Sequence, residues 1–134
     1  MARIIICDDS ISFCEMMKDM LLKCSNKRYE SSFELKVDGA HSAVEFFDMI
    51  KSRNYELVIL DIILARDDGW AILSEIRKDK SKSDLPVIVV SAVDSVDLKY
   101  ESIRKGAVDG FAKPLRGEEL KRFVDVVFNL VVDR

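Results

Sequence analysis

Apolar residues form four short continuous runs along the chain, and each run ends at a polar or charged residue. Three runs precede acidic or hydroxyl residues and the fourth precedes a lysine: residues 4–7 before Asp8 and Asp9, 57–60 before Asp61, 87–90 before Ser91, and 111–112 before Lys113. Continuous apolar runs of this length are typical of strands buried on both faces of a parallel sheet. The pattern therefore predicts four neighbouring parallel strands.

Between these runs, apolar residues recur at intervals of three and four, which is the spacing of one helix face. Ser10 is the predicted N-cap of the first helix. The inner face of that helix is expected to consist of Phe13, Met16, Met17, Met20, Leu21 and Cys24. Residues 25–32 are then predicted to be a connection, residues 33–37 a short second strand, and Asp38-Gly39 a turn.

Four further helices follow by the same criterion, and the second of these four spans residues 70–78. Their predicted inward residues are Ala43, Val44, Phe47 and Ile50; Leu73 and Ile76; Val96, Tyr100, Ile103 and Ala107; and Leu120, Phe123, Val124, Val127, Phe128 and Val131. Five alternating strand–helix units predict an α/β fold with a doubly wound, parallel five-stranded sheet. A flavodoxin-like order, 2-1-3-4-5, would place the strands that carry Asp9 and Asp61 at the switch point.

Composition narrows the class of protein. Lys and Arg total 21 against 24 Asp and Glu in 134 residues, so the net charge of -3 argues against direct binding of nucleic acid or anionic membrane. No apolar stretch reaches the roughly 18 residues that a membrane span needs. Three cysteines, Cys7, Cys14 and Cys24, lack metal-ligand spacing. A single cytoplasmic domain with reduced thiols is the expectation.

The ends of the predicted strands carry the candidate chemistry. Carboxyl ends of parallel strands share one edge of the sheet, so Asp8, Asp9 and Asp61 are expected to lie close together. Oxygen ligands of this kind suit Mg²⁺, and crowded carboxylates repel one another unless a cation is present. One of the adjacent pair, Asp8 or Asp9, would coordinate directly and the other through water.

A carboxylate can attack a phosphoryl group and form an acyl phosphate. Such a reaction depends mainly on positioning the phosphoryl group and neutralising its equatorial oxygens. Mg²⁺, the Lys113 ammonium and the Ser91 hydroxyl could each hold one of these oxygens. The residues at the strand ends thus favour transfer of a phosphoryl group to Asp61.

These motifs, in their order along the chain, resemble those of bacterial response regulator receiver domains of the CheY-like superfamily. The matching features are the acidic pair Asp8-Asp9, Asp61 ahead of a loop that ends at Gly69, Ser91-Ala92, and Lys113-Pro114. The resemblance covers essentially the whole chain and implies a single receiver domain over residues 1–134. The same residues would also fit the amino-terminal part of a longer regulator.

The resemblance also implies roles for individual residues. Asp61 would accept phosphate from a histidine kinase or a phosphotransfer protein, and Ser91 and Lys113 would contact the phosphoryl group. Mg²⁺ would be bound by Asp9, Asp61 and the backbone carbonyl of Ile63, with Asp8 assisting through water. Phe111 would be an aromatic switch that turns inward as Ser91 moves toward the phosphate. The Lys113-Pro114 bond is a candidate for the cis form.

The implied output is binding rather than catalysis of an external reaction. A receiver of this kind catalyses only its own phosphorylation and dephosphorylation, and changes a surface formed by the fourth helix, fifth strand and fifth helix. That surface would control an output domain or a target protein, and a homodimer through it is left open.

The resemblance also implies that Ile63 and Val93 lie beside the water that hydrolyses the acyl phosphate. Neither side chain can hydrogen-bond that water, which predicts a long-lived phosphate on Asp61. Ala65 stands where loops of this family often carry proline.

Two alternatives remain beside this interpretation. One is a receiver-like interaction module that acts without phosphorylation, which the intact acidic pair, acceptor and lysine disfavour. The other is an aspartate-nucleophile phosphohydrolase of the haloacid dehalogenase type. That family has an Asp-x-Asp motif after its first strand, whereas Asp8-Asp9-Ser10 lacks the second aspartate.

Overall fold

Five strands alternate with five helices in a computed structural model that describes residues 1–30, 32–93 and 96–132. In chain order the elements are β1 (Ala2–Cys7), α1 (Ile11–Tyr29), β2 (Leu35–Ala40), α2 (Ala43–Ser52), β3 (Leu57–Leu60), α3 (Gly69–Asp79), β4 (Val87–Ser91), α4 (Leu98–Arg104), β5 (Asp109–Ala112) and α5 (Gly117–Val132). All strand pairs are parallel, and the order across the sheet is β2-β1-β3-β4-β5. The predicted fold class and strand order are confirmed.

The sheet divides the hydrophobic core into two parts, because successive side chains of a strand point to opposite faces. One part joins the sheet to α1 and α5 and includes Ile4, Ile6, Phe123 and Phe128. The other joins it to the remaining helices and includes Ile5, Phe46 and Leu73. Strands buried on both faces explain the continuous apolar runs in the sequence.

The first helix is longer than predicted, and its most buried face is not quite the predicted inner face. It continues to Tyr29, so most of the predicted connection at residues 25–32 is helical, while Ser31 lies outside the described residues. Its buried residues are Cys14, Met17, Leu21 and Ser25. The last turn is fixed by contacts with α5: Arg28 pairs with Asp125 and Tyr29 packs against Phe128. These tertiary contacts outweigh the polar composition of the segment.

Met16, assigned to the inner face of α1, is 61% exposed. It borders an apolar groove of about 360 Å³ between α1 and the segment that follows β5. The groove is lined by Phe13, Met16, Met17, Met20, Lys113, Pro114, Leu115 and Leu120. Apolar residues of α1 therefore form two stripes, one toward the core and one toward the groove, and Phe13, Met17 and Met20 belong to both.

The second strand and the fourth helix also differ from prediction. Asp38 and Gly39, predicted as a turn, lie in β2 and pair with Ile5 and Ile6 of β1. The long parallel pairing with β1 overrides the local turn preference of this dipeptide. In α4 the buried residues are Leu98 and Ser102, whereas Val96 and Tyr100 are 97% and 69% exposed.

Within the described ranges, no helix is both long and apolar enough to cross a membrane.

Candidate functional site

The backbone brings the predicted site residues to one edge of the sheet. Cys7 and Leu60 are paired at the ends of β1 and β3, so Asp8 and Asp61 follow side by side. The Asp61 amide donates to the Cys7 carbonyl at 3.0 Å, and the Lys113 amide donates to the Ser91 carbonyl at 2.8 Å. Parallel pairing alone therefore places the acidic residues, Ser91 and Lys113 around one depression.

Three carboxylates meet in this depression. Asp8, Asp9 and Asp61 each offer an oxygen, and these oxygens lie within 4.8 Å of one another. Asp8 and Asp61 are 1% and 6% exposed, whereas Asp9 lies at the surface. A donor set of clustered carboxylate oxygens, open on one side, fits a hard divalent cation such as Mg²⁺. The grouping predicted from the strand ends is confirmed for all three side chains.

Lys113 and Ser91 both contact the carboxylates. The Lys113 ammonium lies 2.7 Å from Asp8 Oδ2 and 3.1 Å from Asp61 Oδ2. The Ser91 hydroxyl, which is fully buried, donates to Asp61 Oδ1 at 2.7 Å. Three carboxylates against one ammonium leave two negative charges when all are ionised, which is the charge that one divalent cation would balance.

The electrostatic balance is visible in two pKa shifts. Burial raises the pKa of the Asp8 carboxyl, and the Asp61 charge adds to this, although the Lys113 ammonium and the Ser10 amide oppose it. Burial by itself would lower the pKa of Lys113, but its hydrogen bonds and charge interactions with Asp8 and Asp61 raise it. Asp8 is thus a buried carboxyl group that ionises less readily than usual, and Lys113 is an ammonium that loses its proton less readily than usual.

The loop after Asp61 is fastened to the site by backbone amides. The Ile63 amide donates to Asp61 Oδ1 at 3.0 Å, and the Ala65 amide donates to Asp9 Oδ2 at 2.6 Å. Proline at position 65 could not make the second bond, because it has no N–H. The loop closes where Gly69 begins α3, and the Gly69 amide donates to the Ile62 carbonyl at 3.0 Å. Ile63 itself is 58% exposed.

Phe111 is a core residue in this structure. It is 1% exposed, packs edge-on against Phe123 with ring centroids 5.3 Å apart, and belongs to the core on the α1 and α5 side. The neighbouring position, which faces α4, is Gly110, and a Cβ there would lie 2.6 Å from Ser102 Oγ. Phe111 is thus already inward in this structure, and its role as a switch stays a prediction. Phe111 and Gly110 face opposite sides of the sheet because side chains alternate along β5.

Other polar residues near the site have structural roles. Asp68 caps α3 by accepting from the Trp70 amide at 2.9 Å, and Asp67 accepts from the Ala43 amide at the start of α2. The Lys113-Pro114 peptide bond is cis. Burial raises the pKa of the Cys7 and Cys14 thiols to about 12, which makes them poor nucleophiles.

One residue in contact with the site was assigned only to the core by its helical spacing. The Lys113 ammonium lies 3.9 Å from the centroid of the Phe13 ring. A signal was present in the sequence, since Phe13 follows the acidic pair by about one helical turn and is placed by the Ser10 cap. Residues in the first turn of a helix that begins at the site lie close to it.

Comparison with known proteins agrees with this arrangement. The family model described as the response regulator receiver domain matches residues 4–125. Response regulator MprA of Mycobacterium tuberculosis is 33% identical over 118 residues, which are 88% of this chain and 46% of that protein. Transcriptional regulatory protein ZraR of Klebsiella oxytoca is 28% identical over 88% of this chain and 24% of its own length. The chain thus spans about half or less of these relatives.

Solved structures show the same fold. The response regulator TrrA of Thermotoga maritima, in complex with Mg²⁺ and BeF, is 28% identical with a TM-score of 0.73, over 95% of this chain and 99% of that one. NtrX of Brucella abortus, in complex with ATP, is 27% identical with a TM-score of 0.75, over 96% of this chain and 27% of that one. With its matching sequence model, strand order and acidic cluster, the chain belongs to the response regulator receiver domain family.

Proposed function

We propose that this receiver domain is a phosphorylation-dependent switch in which Asp61 accepts a phosphoryl group from a histidine kinase or phosphotransfer protein. The observation that carries the proposal is the arrangement around Asp61: a buried carboxylate that lies 3.1 Å from an ammonium and 2.7 Å from a hydroxyl, beside two further carboxylates. Charges and hydrogen-bond donors already in place around the acceptor stabilise a phosphoryl group in transit without reorganisation of solvent.

In the proposed reaction, one oxygen of Asp61 forms a bond to phosphorus as the bond between phosphorus and the donor atom breaks. The product is an acyl phosphate. In the structure Lys113 donates hydrogen bonds to both Asp8 and Asp61, and in the reaction its charge would hold one phosphoryl oxygen. The Ser91 hydroxyl would exchange its hydrogen bond to Asp61 Oδ1 for a hydrogen bond to a second phosphoryl oxygen. That exchange is the local event through which the rest of the fold would respond.

Mg²⁺ would be held by Asp9, Asp61 and the backbone carbonyl of Ile63, with Asp8 assisting through water. Bound there, the cation supplies positive charge that neutralises phosphoryl oxygens. Asp9 is the most exposed of the three carboxylates and accepts from the Ala65 amide, so its side chain is the one placed to meet a cation from solvent.

Intact mass spectrometry after incubation with Mg²⁺ and acetyl phosphate tests the proposal. We expect one added phosphoryl group, absent from Asp61→Asn and absent when a chelator replaces Mg²⁺. Asp84→Asn, which alters an exposed carboxylate away from the site, is the matched control and should be phosphorylated like the native protein. An adduct that persists in Asp61→Asn would reject Asp61 as the acceptor.

Failure of the native protein to form an adduct, together with failure to bind beryllofluoride, would favour the phosphorylation-independent interaction module. Steady hydrolysis of a phosphate ester would instead indicate a phosphohydrolase. The output domain or target, and any homodimer, would engage the surface formed by α4, β5 and α5, where Val96 and Tyr100 are exposed.

The phosphate on Asp61 should be long-lived. Ile63 is 58% exposed and Val93 is half-buried, and neither side chain can hydrogen-bond an attacking water. We expect the double variant Ile63→Asn, Val93→Glu to lose its phosphate roughly tenfold faster, because polar groups there can orient that water. The decay of the adduct by intact mass is the measurement, and an unchanged decay rate would show that these positions have no such influence.

A further inference from the structure

The ammonium of Lys113 has a third neighbour besides its two carboxylates. Its nitrogen lies 3.9 Å from the centroid of the Phe13 ring, while it bonds Asp8 Oδ2 at 2.7 Å and Asp61 Oδ2 at 3.1 Å. The face of an aromatic ring carries partial negative charge and attracts a cation at this distance. Lys113 is therefore held from one side by charges and from another by the ring.

The ring of Phe13 is itself fixed. Ser10 caps α1 by accepting from the Phe13 amide at 3.2 Å, which sets the backbone at this position. One part of the side chain packs against the core, and another lines the apolar groove with Met16, Met20 and Leu115. A ring held by the helix cap and by packing can limit the motion of the flexible side chain that lies against it.

We infer that Phe13 is a positioning residue that keeps the Lys113 ammonium beside the Asp61 carboxylate, where the phosphoryl group would be accepted. This inference rests on the proposed function. The side chain of Lys113 is only 19% exposed, but its four-carbon chain is flexible, so its charge can leave Asp61 unless neighbouring groups hold it. An aliphatic residue at position 13 could fill the same space, but it would offer no negative face to the ammonium.

The first test separates the ring from its volume. Phe13→Leu keeps an apolar side chain, Phe13→Tyr keeps the aromatic face, and phenylalanine with increasing ring fluorination at position 13 weakens that face at nearly constant size. We expect the rate of phosphorylation by acetyl phosphate to fall roughly tenfold in Phe13→Leu and progressively with fluorination. Phe13→Tyr should retain the native rate within about twofold.

Phe47→Leu is the matched control, because Phe47 is a partly buried phenylalanine that packs against Phe46 away from Lys113. It should lose a similar amount of thermal stability and keep the native rate. A rate in Phe13→Leu within twofold of the native rate, or a flat fluorination series, would overturn the inference.

The second test needs no phosphodonor and so does not depend on the proposed function. A ring stacked on Lys113 shifts the NMR signals of the Lys113 Cε protons upfield. We expect that shift in the native protein and in Phe13→Tyr, and its loss in Phe13→Leu. Absence of the shift from the native protein would refute the placement of Lys113 by the ring, even if Asp61 is phosphorylated.

Discussion

Gly69→Ala is expected to destabilise the domain by about 3 kcal/mol and to slow phosphorylation of Asp61 by about 10²-fold. A Cβ on Gly69 would lie 2.4 Å from both the Asp61 carbonyl oxygen and the Ile62 Cα, which are backbone atoms that cannot rotate away. In an open helical position, alanine would instead stabilise the helix by up to about 1 kcal/mol. The sign of the effect is therefore diagnostic.

The expected loss of rate follows from where the clash occurs. Relief of the contact requires α3 to move away from the backbone of Asp61, or Asp61 to move, and either change disturbs the acceptor relative to Ser91 and Lys113. Urea unfolding measures the stability, and intact mass measures phosphorylation with time. Gly39→Ala is the matched control, since its Cβ would meet the Cys14 side chain at 3.2 Å and no site backbone. Equal stability changes in the two variants would contradict the prediction.

Lys113→Met is expected to destabilise the domain by about 3 kcal/mol near pH 8, and to lose much of this effect toward pH 4. Removal of the ammonium leaves Asp8 and Asp61 buried beside each other without a cation. The pKa of Asp8 is already raised by burial and would rise further. A carboxyl group whose pKa is higher in the folded than in the unfolded state favours folding when protonated. That contribution is present at low pH and is lost as the pH rises through the folded pKa.

Urea unfolding of Lys113→Met and the native protein across this pH range measures the effect. Lys105→Met is the matched control, because Lys105 lies over the Trp70 ring at the surface rather than between carboxylates. Its difference from the native protein should not change with pH. The same Lys113 variant should be phosphorylated about 10²-fold more slowly, since it lacks the charge that faces the phosphoryl group. A pH-independent stability difference for Lys113→Met would show that Asp8 is not the group that responds.

The sheet and the site could be predicted from the sequence because both depend on the ends of buried strands. Runs that are apolar on both faces leave few alternatives to a parallel sheet, and the residue after each run must lie at its edge. Asp8, Asp61 and Ser91 are such residues. Their grouping needed the strand order, but no knowledge of individual side-chain contacts.

Features that depend on which of two faces a residue occupies were harder to predict. Apolar residues cover two stripes of α1, and the spacing alone cannot tell that Cys14 rather than Met16 faces the core. On β5, the spacing alone cannot tell that Phe111 faces α1 and α5 while Gly110 faces α4. A shift of one residue along a strand exchanges its two faces completely.

Asp38 and Gly39 illustrate a different limit. Their turn preference is local, whereas the pairing of β2 with β1 extends over six residue pairs from Ala2–Leu35 to Cys7–Ala40. The carboxylate of Asp38 is satisfied by Tyr55 and Arg53, which lie far from it in the sequence. Such long-range partners leave no mark in the local pattern of a strand.

The hydrogen bond from the Ala65 amide ties the loop after Asp61 to the carboxylate of Asp9. The bond is made to Oδ2, so the carboxylate still has a second oxygen that could meet a cation. A hydrogen bond that orients a metal-ligating carboxylate favours metal binding, and by thermodynamic reciprocity a cation bound to Asp9 would stabilise the loop by the same factor. The Ala65 amide would thus couple the loop to the cation through an N–H that a proline at position 65 would lack.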